Sequence, residues 1–292
     1  FLLLVAPRGV PGRWLGIVLM LPVVTFQPER PGAGAFRVTV LDVGQGLSTV
    51  VQTAQHTLVF DSGPRAADSF DTGQLVVLPW LYGAGIRHID RLMISHADND
   101  HSGGARALLK ALPVKQVWTN VPDLLPEYHP VLCRAGQQWE WDGVSFRVLH
   151  PSENFSDKHE NNQSCVLKVA NAEHSILLTA DIERVAEYWL LAQEVDLRAE
   201  VLLVPHHGSR SSSSPAFIDA VAPRLAILTN GYRNRFRHPH PSVTQRYTDR
   251  NIRLLNTVNS GELRLDFPAA APLVVREWRK AQPRIWLRES MM

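Results

Sequence analysis

Apolar runs of about four to eight residues, divided by polar turns, recur from Phe36 to Phe267, which is the length and character of buried strands. They predict strands near residues 36–43, 48–53, 57–61, 89–95, 144–149, 165–170, 175–179, 199–204, 225–229, 252–256 and 262–267. Stretches with apolar positions three and four apart predict helices near 74–82, 104–112, 182–193, 215–222 and 241–250. Strands that arrive both as hairpins and in alternation with helices imply an α/β fold, with two mixed sheets and helices outside them.

The two ends follow other patterns. Phe1 to Ala6 and Trp14 to Phe26 are apolar but broken by Pro7, Pro11 and Pro22, and neither reaches the roughly 20 residues of a spanning helix. Residues 1–34 therefore read as the end of a membrane region and a linker. A cleaved signal peptide fits less well, because there is no initiating Met and the Pro-Glu-Arg-Pro after Gln27 is a poor cleavage site. Arg8 and Arg13 precede the second run and Glu29 and Arg30 follow it, so its N-terminal side is expected in the cytoplasm and the rest of the chain outside. Residues 269–292 read as a basic tail, with Trp278 and Trp286 among Arg276, Arg279, Lys280, Arg284 and Arg288. Nucleic acid, a membrane surface or a neighbouring domain would each suit it.

With 292 residues, 45% of them hydrophobic, the middle of the chain can bury one large core. A net charge of +2 excludes a uniformly basic nucleic-acid binder, yet the charge is uneven. Between Arg224 and Arg253 there are seven Arg against one acid, Asp249, and Arg233, Arg235 and Arg237 alternate with Tyr232, Phe236 and His238. Arg forks match phosphates and aromatic rings stack on unpaired bases, so these three arginines are the expected DNA contacts; a solvated basic face is the plainer reading. With no DNA-reading motif present, such binding would ignore sequence. His238, in a Pro-stiffened His-Pro-His-Pro run, could give a proton to a leaving oxygen. Cys133 and Cys165 stand alone and are expected as two buried thiols.

The chemistry concentrates in Ser95 to Gly104, where His96, Asp98, Asp100 and His101 fall within six residues of a loop from a strand to a helix. Imidazole and carboxylate together suit zinc, manganese or iron, and two such ions close together can act on both oxygens of a displacement. A polar loop that caps the next helix is the bland alternative. Two further apolar runs end in similar residues, at Asp181 and at His206 and His207.

The spacing of His96, Asp98, Asp100 and His101 resembles the HxHxDH signature of the metallo-β-lactamase superfamily, with Asp98 in place of the second His. Asp181 resembles its bridging Asp, with Ala180 where Gly is usual, and His207 its terminal His; His206 would be a neighbouring or proton-transfer group. Asp61 resembles the early Asp that orients a ligand by hydrogen bonding. The middle His has no counterpart, and Asn161 and Asn162 are its nearest substitutes. Together with Asp42-Val43-Gly44-Gln45-Gly46, these motifs resemble the C-terminal domain of the ComEC family of DNA-internalisation proteins over residues 36 to about 267. Leu47 departs from that pattern, since many relatives carry Asp there.

That resemblance implies a four-layer αββα sandwich over residues 35–268. It implies two divalent ions held by His96, Asp98, Asp100, His101, Asp181 and His207, with Asp100, His206 and His238 active in the chemistry. The oxygen donor at Asp98 favours manganese, with zinc possible. The expected activity is a phosphodiesterase acting on DNA during uptake across the inner membrane in natural transformation. The domain would be monomeric when isolated, would lie on the periplasmic or extracellular side, and would follow the rest of a membrane channel protein. Two alternatives stand beside it: a thioester or β-lactam hydrolase, and a non-catalytic domain with a degenerate metal site that guides DNA to the channel.

Overall fold

The structure is a computed structural model and describes residues 2–7, 9–25, 28–67 and 70–282. Arg284, Trp286 and Arg288 of the expected tail, and Phe1, Arg8 and Phe26 of the N-terminal segment, lie outside the described residues.

In chain order the strands are β1 (Phe36–Val40), β2 (Thr49–Gln52), β3 (Thr57–Phe60), β4 (Arg65–Ala67), β5 (Phe70–Asp71), β6 (Ile89–Ile94), β7 (Val114–Thr119), β8 (Val131–Leu132) and β9 (Gln138–Trp141). They continue as β10 (Val144–His150), β11 (Val166–Ala170), β12 (Ser175–Leu178), β13 (Val201–Leu203), β14 (Leu225–Leu228), β15 (Arg253–Asn256), β16 (Leu263–Phe267) and β17 (Val274–Glu277). One sheet has eight strands in the order β17-β16-β1-β2-β3-β6-β7-β8, and the other has seven in the order β15-β14-β13-β12-β11-β10-β9. In each, one half is antiparallel and the other parallel: β3, β6, β7 and β8 in the first, β12 to β15 in the second. Parallel neighbours need crossovers instead of hairpins. Helices Leu78–Gly83, Ala105–Ala111, Arg184–Ala192, Pro215–Val221 and Pro241–Thr248 supply most of them.

Three apolar layers explain the order of the elements. Phe36, Leu58 and Phe60 of the first sheet meet Phe146, Leu167 and Leu203 of the second in a central core. Ala186, Leu190, Phe217 and Val243 cover the outer face of the second sheet, and Leu78, Leu81 and Leu108 that of the first. The layers therefore run helix, sheet, sheet, helix, the αββα sandwich expected. Strands covered on both faces need apolar side chains at every position, which is why β13 and β14 read as unbroken apolar runs. Phe146→Ala, at the centre of the sandwich, should cost about 3–5 kcal/mol in a denaturant titration; a loss under about 1 kcal/mol would show that this core is not the one that holds the sheets.

The structure adds strands that the apolar pattern hides. Strand β7 carries exposed Lys115 and Gln116 after Val114, and β9 alternates Gln138, Trp139, Glu140 and Trp141 at a sheet edge. Strand β17 pairs with β16, Leu263 facing Glu277, so the first sheet extends past residue 268 into the segment expected as a tail. Arg279 then reaches Asp42 at 2.8 Å. At the N-terminus lie two helices, Leu2–Val5 and Leu15–Thr25, and no helix among the described residues is long and apolar enough to cross a membrane.

One expectation is corrected. Cys133 and Cys165 are fully buried, as expected, but paired in a disulfide with Cα atoms 6.1 Å apart. They are 32 residues apart in sequence, and only the packing of the two sheets brings the loop after β8 against the start of β11.

Candidate metal centre

In open parallel sheets, groups that bind ligands gather beyond the carboxyl ends of the strands. Here Asp61 follows β3, Ser95 and His96 follow β6, Asp181 lies beyond β12, His206 and His207 lie beyond β13, and Thr229 follows β14. The backbone turns sharply there: Asp61, Ala180, His206 and His207 have φ of 59°, 45°, 49° and 53°. Such left-handed conformations cost a side-chain-bearing residue about 1–2 kcal/mol each, and persist only where the surroundings impose them. The Asp42 to Gly46 loop packs behind the site, Leu47 N donating to Asp100 O at 3.0 Å. Gly46 has φ of 140°, and a Cβ on it would lie 2.3 Å from that same carbonyl oxygen, so no larger residue fits.

Asp61 is fully buried, and its carboxylate accepts from Ser95 N at 2.7 Å, from Ser95 Oγ at 2.8 Å and from His101 Nδ1 at 2.7 Å. With its Nδ1 proton committed to Asp61, His101 turns Nε2 inward. His207 does likewise, its Nδ1 paired with Thr229 Oγ1 at 3.0 Å. The two Nε2 atoms end 3.2 Å apart. Asp181 Oδ1 lies 3.1 Å from that of His101 and 3.5 Å from that of His207, and Asp100 Oδ2 lies 3.4 Å from that of His207.

Two imidazole lone pairs and two carboxylates pointed at one another repel unless a positive charge lies between them. Burial pushes the His101 pKa down, yet Asp181 and Asp61 outweigh it and hold it well above the ordinary value. Burial likewise opposes ionisation of Asp181, but His101, His207 and His206 hold it well below the carboxylate range. His96 Nε2 and Asp181 Oδ1 are buried without hydrogen-bond partners. Two overlapping groups, Asp100 with His101 and His207, and His96 with His101 and Asp181, bring donor atoms within 4.8 Å of one another. Imidazole nitrogen and carboxylate oxygen in this mixture fit divalent ions.

The other expected residues are placed unequally. The Asp98 side chain is 48% exposed, with Oδ2 3.6 Å from His96 Nε2, and lies at the rim. His206 points Nε2 at Asp181 Oδ2, 3.6 Å away, and Nδ1 at Glu183 Oε1, 3.2 Å away. Glu183 was not anticipated; its only trace in the sequence is its place two residues after Asp181. Its pKa is lowered by the adjacent His206 ring, and that of His206 is raised by Asp181 and Glu183 against the opposing effect of burial. Asn161 Nδ2 lies 3.3 Å from His206 Nε2. Asn162 instead braces the loop, accepting from Glu183 N at 2.9 Å. The ring of His238 lies 5.7 Å from that of His206, and its pKa is pushed down to about 4 by burial and the neighbouring histidines. A neutral ring of that kind accepts a proton at pH 7 more readily than it donates one. The three arginines part company: Arg235 lines a cleft with Asp98 and Asp100, while Arg233 and Arg237 line another.

The sequence pattern of the Metallo-beta-lactamase superfamily matches residues 41–230, a span that contains every one of the gathered donors. The chain belongs to the metallo-β-lactamase superfamily. Superfamily members are metal-dependent hydrolases that bind divalent ions, often two. This superfamily chain is 38% identical over 263 residues to competence protein ComA of Neisseria gonorrhoeae, covering 90% of the chain and 37% of that protein. It is 34% identical over 252 residues to recombination protein 2 of Haemophilus influenzae, covering 86% of the chain and 31% of that protein. The chain thus spans about a third of the length of these curated relatives. Igni18, a metallo hydrolase of Ignicoccus hospitalis, shares the fold at 12% identity with a TM-score of 0.53, covering 79% of this chain and 99% of that one.

Proposed function

We propose that this chain is a divalent-metal-dependent phosphodiesterase that cuts DNA without regard to sequence, within a membrane protein of DNA uptake, and that it works on the periplasmic or extracellular side. The observation that carries the chemistry is the pair of Nε2 atoms 3.2 Å apart, both aimed at Asp181, with their other nitrogens held by Asp61 and Thr229. The likeness to a competence protein and the arginine in the cleft of Asp98 and Asp100 support DNA as substrate.

Asp100, His101, His207 and Asp181 would hold one ion, and His96 and Asp98, again with Asp181, the other. When bound, such ions supply Lewis acidity, making a water acidic and neutralising charge on phosphoryl oxygen. Asp61 and Thr229 keep the imidazoles turned inward. His206, its pKa raised by Asp181 and Glu183, is the proton donor for the leaving oxygen, the role expected of His238. Arg235 holds the substrate's phosphate at the rim.

The test is to strip the protein with a chelator and add back single metals while following cleavage of labelled DNA. Manganese should support faster cleavage than zinc, because oxygen donors at Asp98, Asp100 and Asp181 outnumber those of a typical zinc site. Cleavage with zinc alone and none with manganese would overturn the metal assignment. No cleavage with any divalent ion would favour a DNA-guiding domain, a reading to which the exposed Asp98 and the missing middle His lend weight. Neutralising Arg233, Arg235 and Arg237 together should weaken binding of single strands of every sequence alike and flatten the log-log salt dependence by about 0.7 per lost contact; an unchanged slope, read by titration at several salt concentrations, would make them a solvated face.

A further inference from the structure

The segment from Gly231 to His238 is a fixed partition between two clefts. Asn234 braces it from within, its Nδ2 donating to Gly231 O at 3.0 Å and to His238 O at 2.6 Å and its Oδ1 accepting from His238 N at 2.9 Å. Gln45 Oε1 anchors it to the loop behind the metal site, accepting from Gly231 N at 3.1 Å. On one side, Arg235 and Phe236 face Gln45, Asp98 and Asp100 across a cleft of about 540 Å³. On the other, Tyr232, Arg233 and Arg237 line a cleft of about 490 Å³, and Asn234 borders both.

Phe236 is the one aromatic ring in a cleft that also holds Asp98, Asp100 and Arg235. The residue is 50% exposed, the Arg235 guanidinium carbon sits 4.7 Å from its ring centre, and the His238 ring stacks on it at 5.7 Å with 25° between planes. Leaving such a ring in water forgoes apolar burial that a flat partner would restore. The guanidinium above the ring is also the group that an incoming phosphate would draw toward itself, which uncovers the ring face for a base.

We infer that Phe236 is the stacking platform for the nucleobase next to the reacting phosphate, so the substrate strand must be unpaired there, with Arg233 and Arg237 holding the phosphate beyond the partition. A base within a duplex presents only its edges, because its faces are covered by its neighbours, whereas an unpaired base offers a face to an aromatic side chain. The inference rests on the phosphodiesterase reading, and it names single-stranded DNA as the substrate class.

Fluorescence anisotropy with a labelled 12-nucleotide oligothymidylate tests it, with calcium in place of the active metal so that the strand is bound without being cut, and with a set of the same strands carrying one abasic position each. For the parent protein, one abasic position should weaken binding about 5- to 150-fold, the range of a lost base-on-ring stack. Phe236→Ala should weaken binding of the intact strand by the same factor and should no longer distinguish that abasic strand, while Phe236→Trp restores both. Arg235→Ala should weaken intact and abasic strands alike. A parent protein that binds DNA with a flat abasic scan, or a Phe236→Ala variant that still distinguishes the strands, overturns this inference and leaves the phosphodiesterase reading in place. A parent protein that binds no DNA at any salt concentration overturns both.

Discussion

Asp181→Asn is expected to leave the protein folded but without its metal, and to lower DNA cleavage about a thousandfold or more. The carboxylate of Asp181 faces three imidazoles: His101 at 3.1 Å, His207 at 3.5 Å and His206 at 3.6 Å. Its charge therefore acts on His101, the member common to both gathered groups, and on His207 of the other. An amide keeps the shape and loses the charge. Lewis-acid stabilisation amounts to several kcal/mol, and about 1.4 kcal/mol is a factor of ten in rate, which sets the scale. Native mass spectrometry reads the metal and a labelled strand reads the cleavage; an Asp181→Asn protein that retains parental metal content would remove Asp181 from the ligand set.

The same charge governs the metal-stripped protein. His101 has a folded pKa above its ordinary 6.5, so its contribution is complete below that value and fades as pH rises through the folded pKa. Asp181 has a folded pKa below its ordinary 3.8, so its contribution is complete above that value and fades as pH falls through the folded pKa. The pair therefore contributes most between pH 3.8 and 6.5. In chelator, thermal melts of the parent should show their largest advantage over Asp181→Asn in that window; an advantage that grows steadily toward pH 9 would contradict the coupling of these two groups.

Asp61→Asn should have the second-largest effect although Asp61 binds no metal. Its carboxylate accepts three hydrogen bonds in full burial, and an amide nitrogen there must confront either a Ser95 donor or His101 Nδ1. Removing one partner in a buried set costs about 1–3 kcal/mol. The imidazole can escape only by moving its proton to Nε2, the atom that faces the site, and a wrong tautomer is no ligand. Metal affinity by calorimetry should fall about 10- to 100-fold, the range for partners that orient a ligating His. Parental affinity in a variant that is merely less stable would show that Asp61 is structural alone.

What was legible beforehand follows the distances over which each signal acts. His96, Asp100 and His101 lie close together on one loop, so their spacing declares them before any fold is known. The strands that end at Asp61, Asp181 and His207 announce themselves by unbroken apolar runs, because burial on both faces leaves nothing else for those positions to be. By contrast, β7 and β9 lie at or near sheet edges, where half-exposed residues blur the period, and β17 is recognisable only through its pairing with β16. Glu183 and Thr229 resemble any loop residue until the sheets set them beside His206 and His207.

By itself, then, the order of residues determined the layers of the sandwich and the family, and named the candidate donors, since hydrophobic period and motif spacing are local properties of the chain. Tertiary structure alone decided which donors meet and in what charge state. It turned Asp98 to the rim and drew Asp181 into the centre, paired Cys133 with Cys165, lowered the His238 pKa while raising that of His206, and divided three neighbouring arginines between two clefts. Each of these outcomes depends on burial and on partners contributed by distant strands, and neither quantity exists until the two sheets have closed on each other.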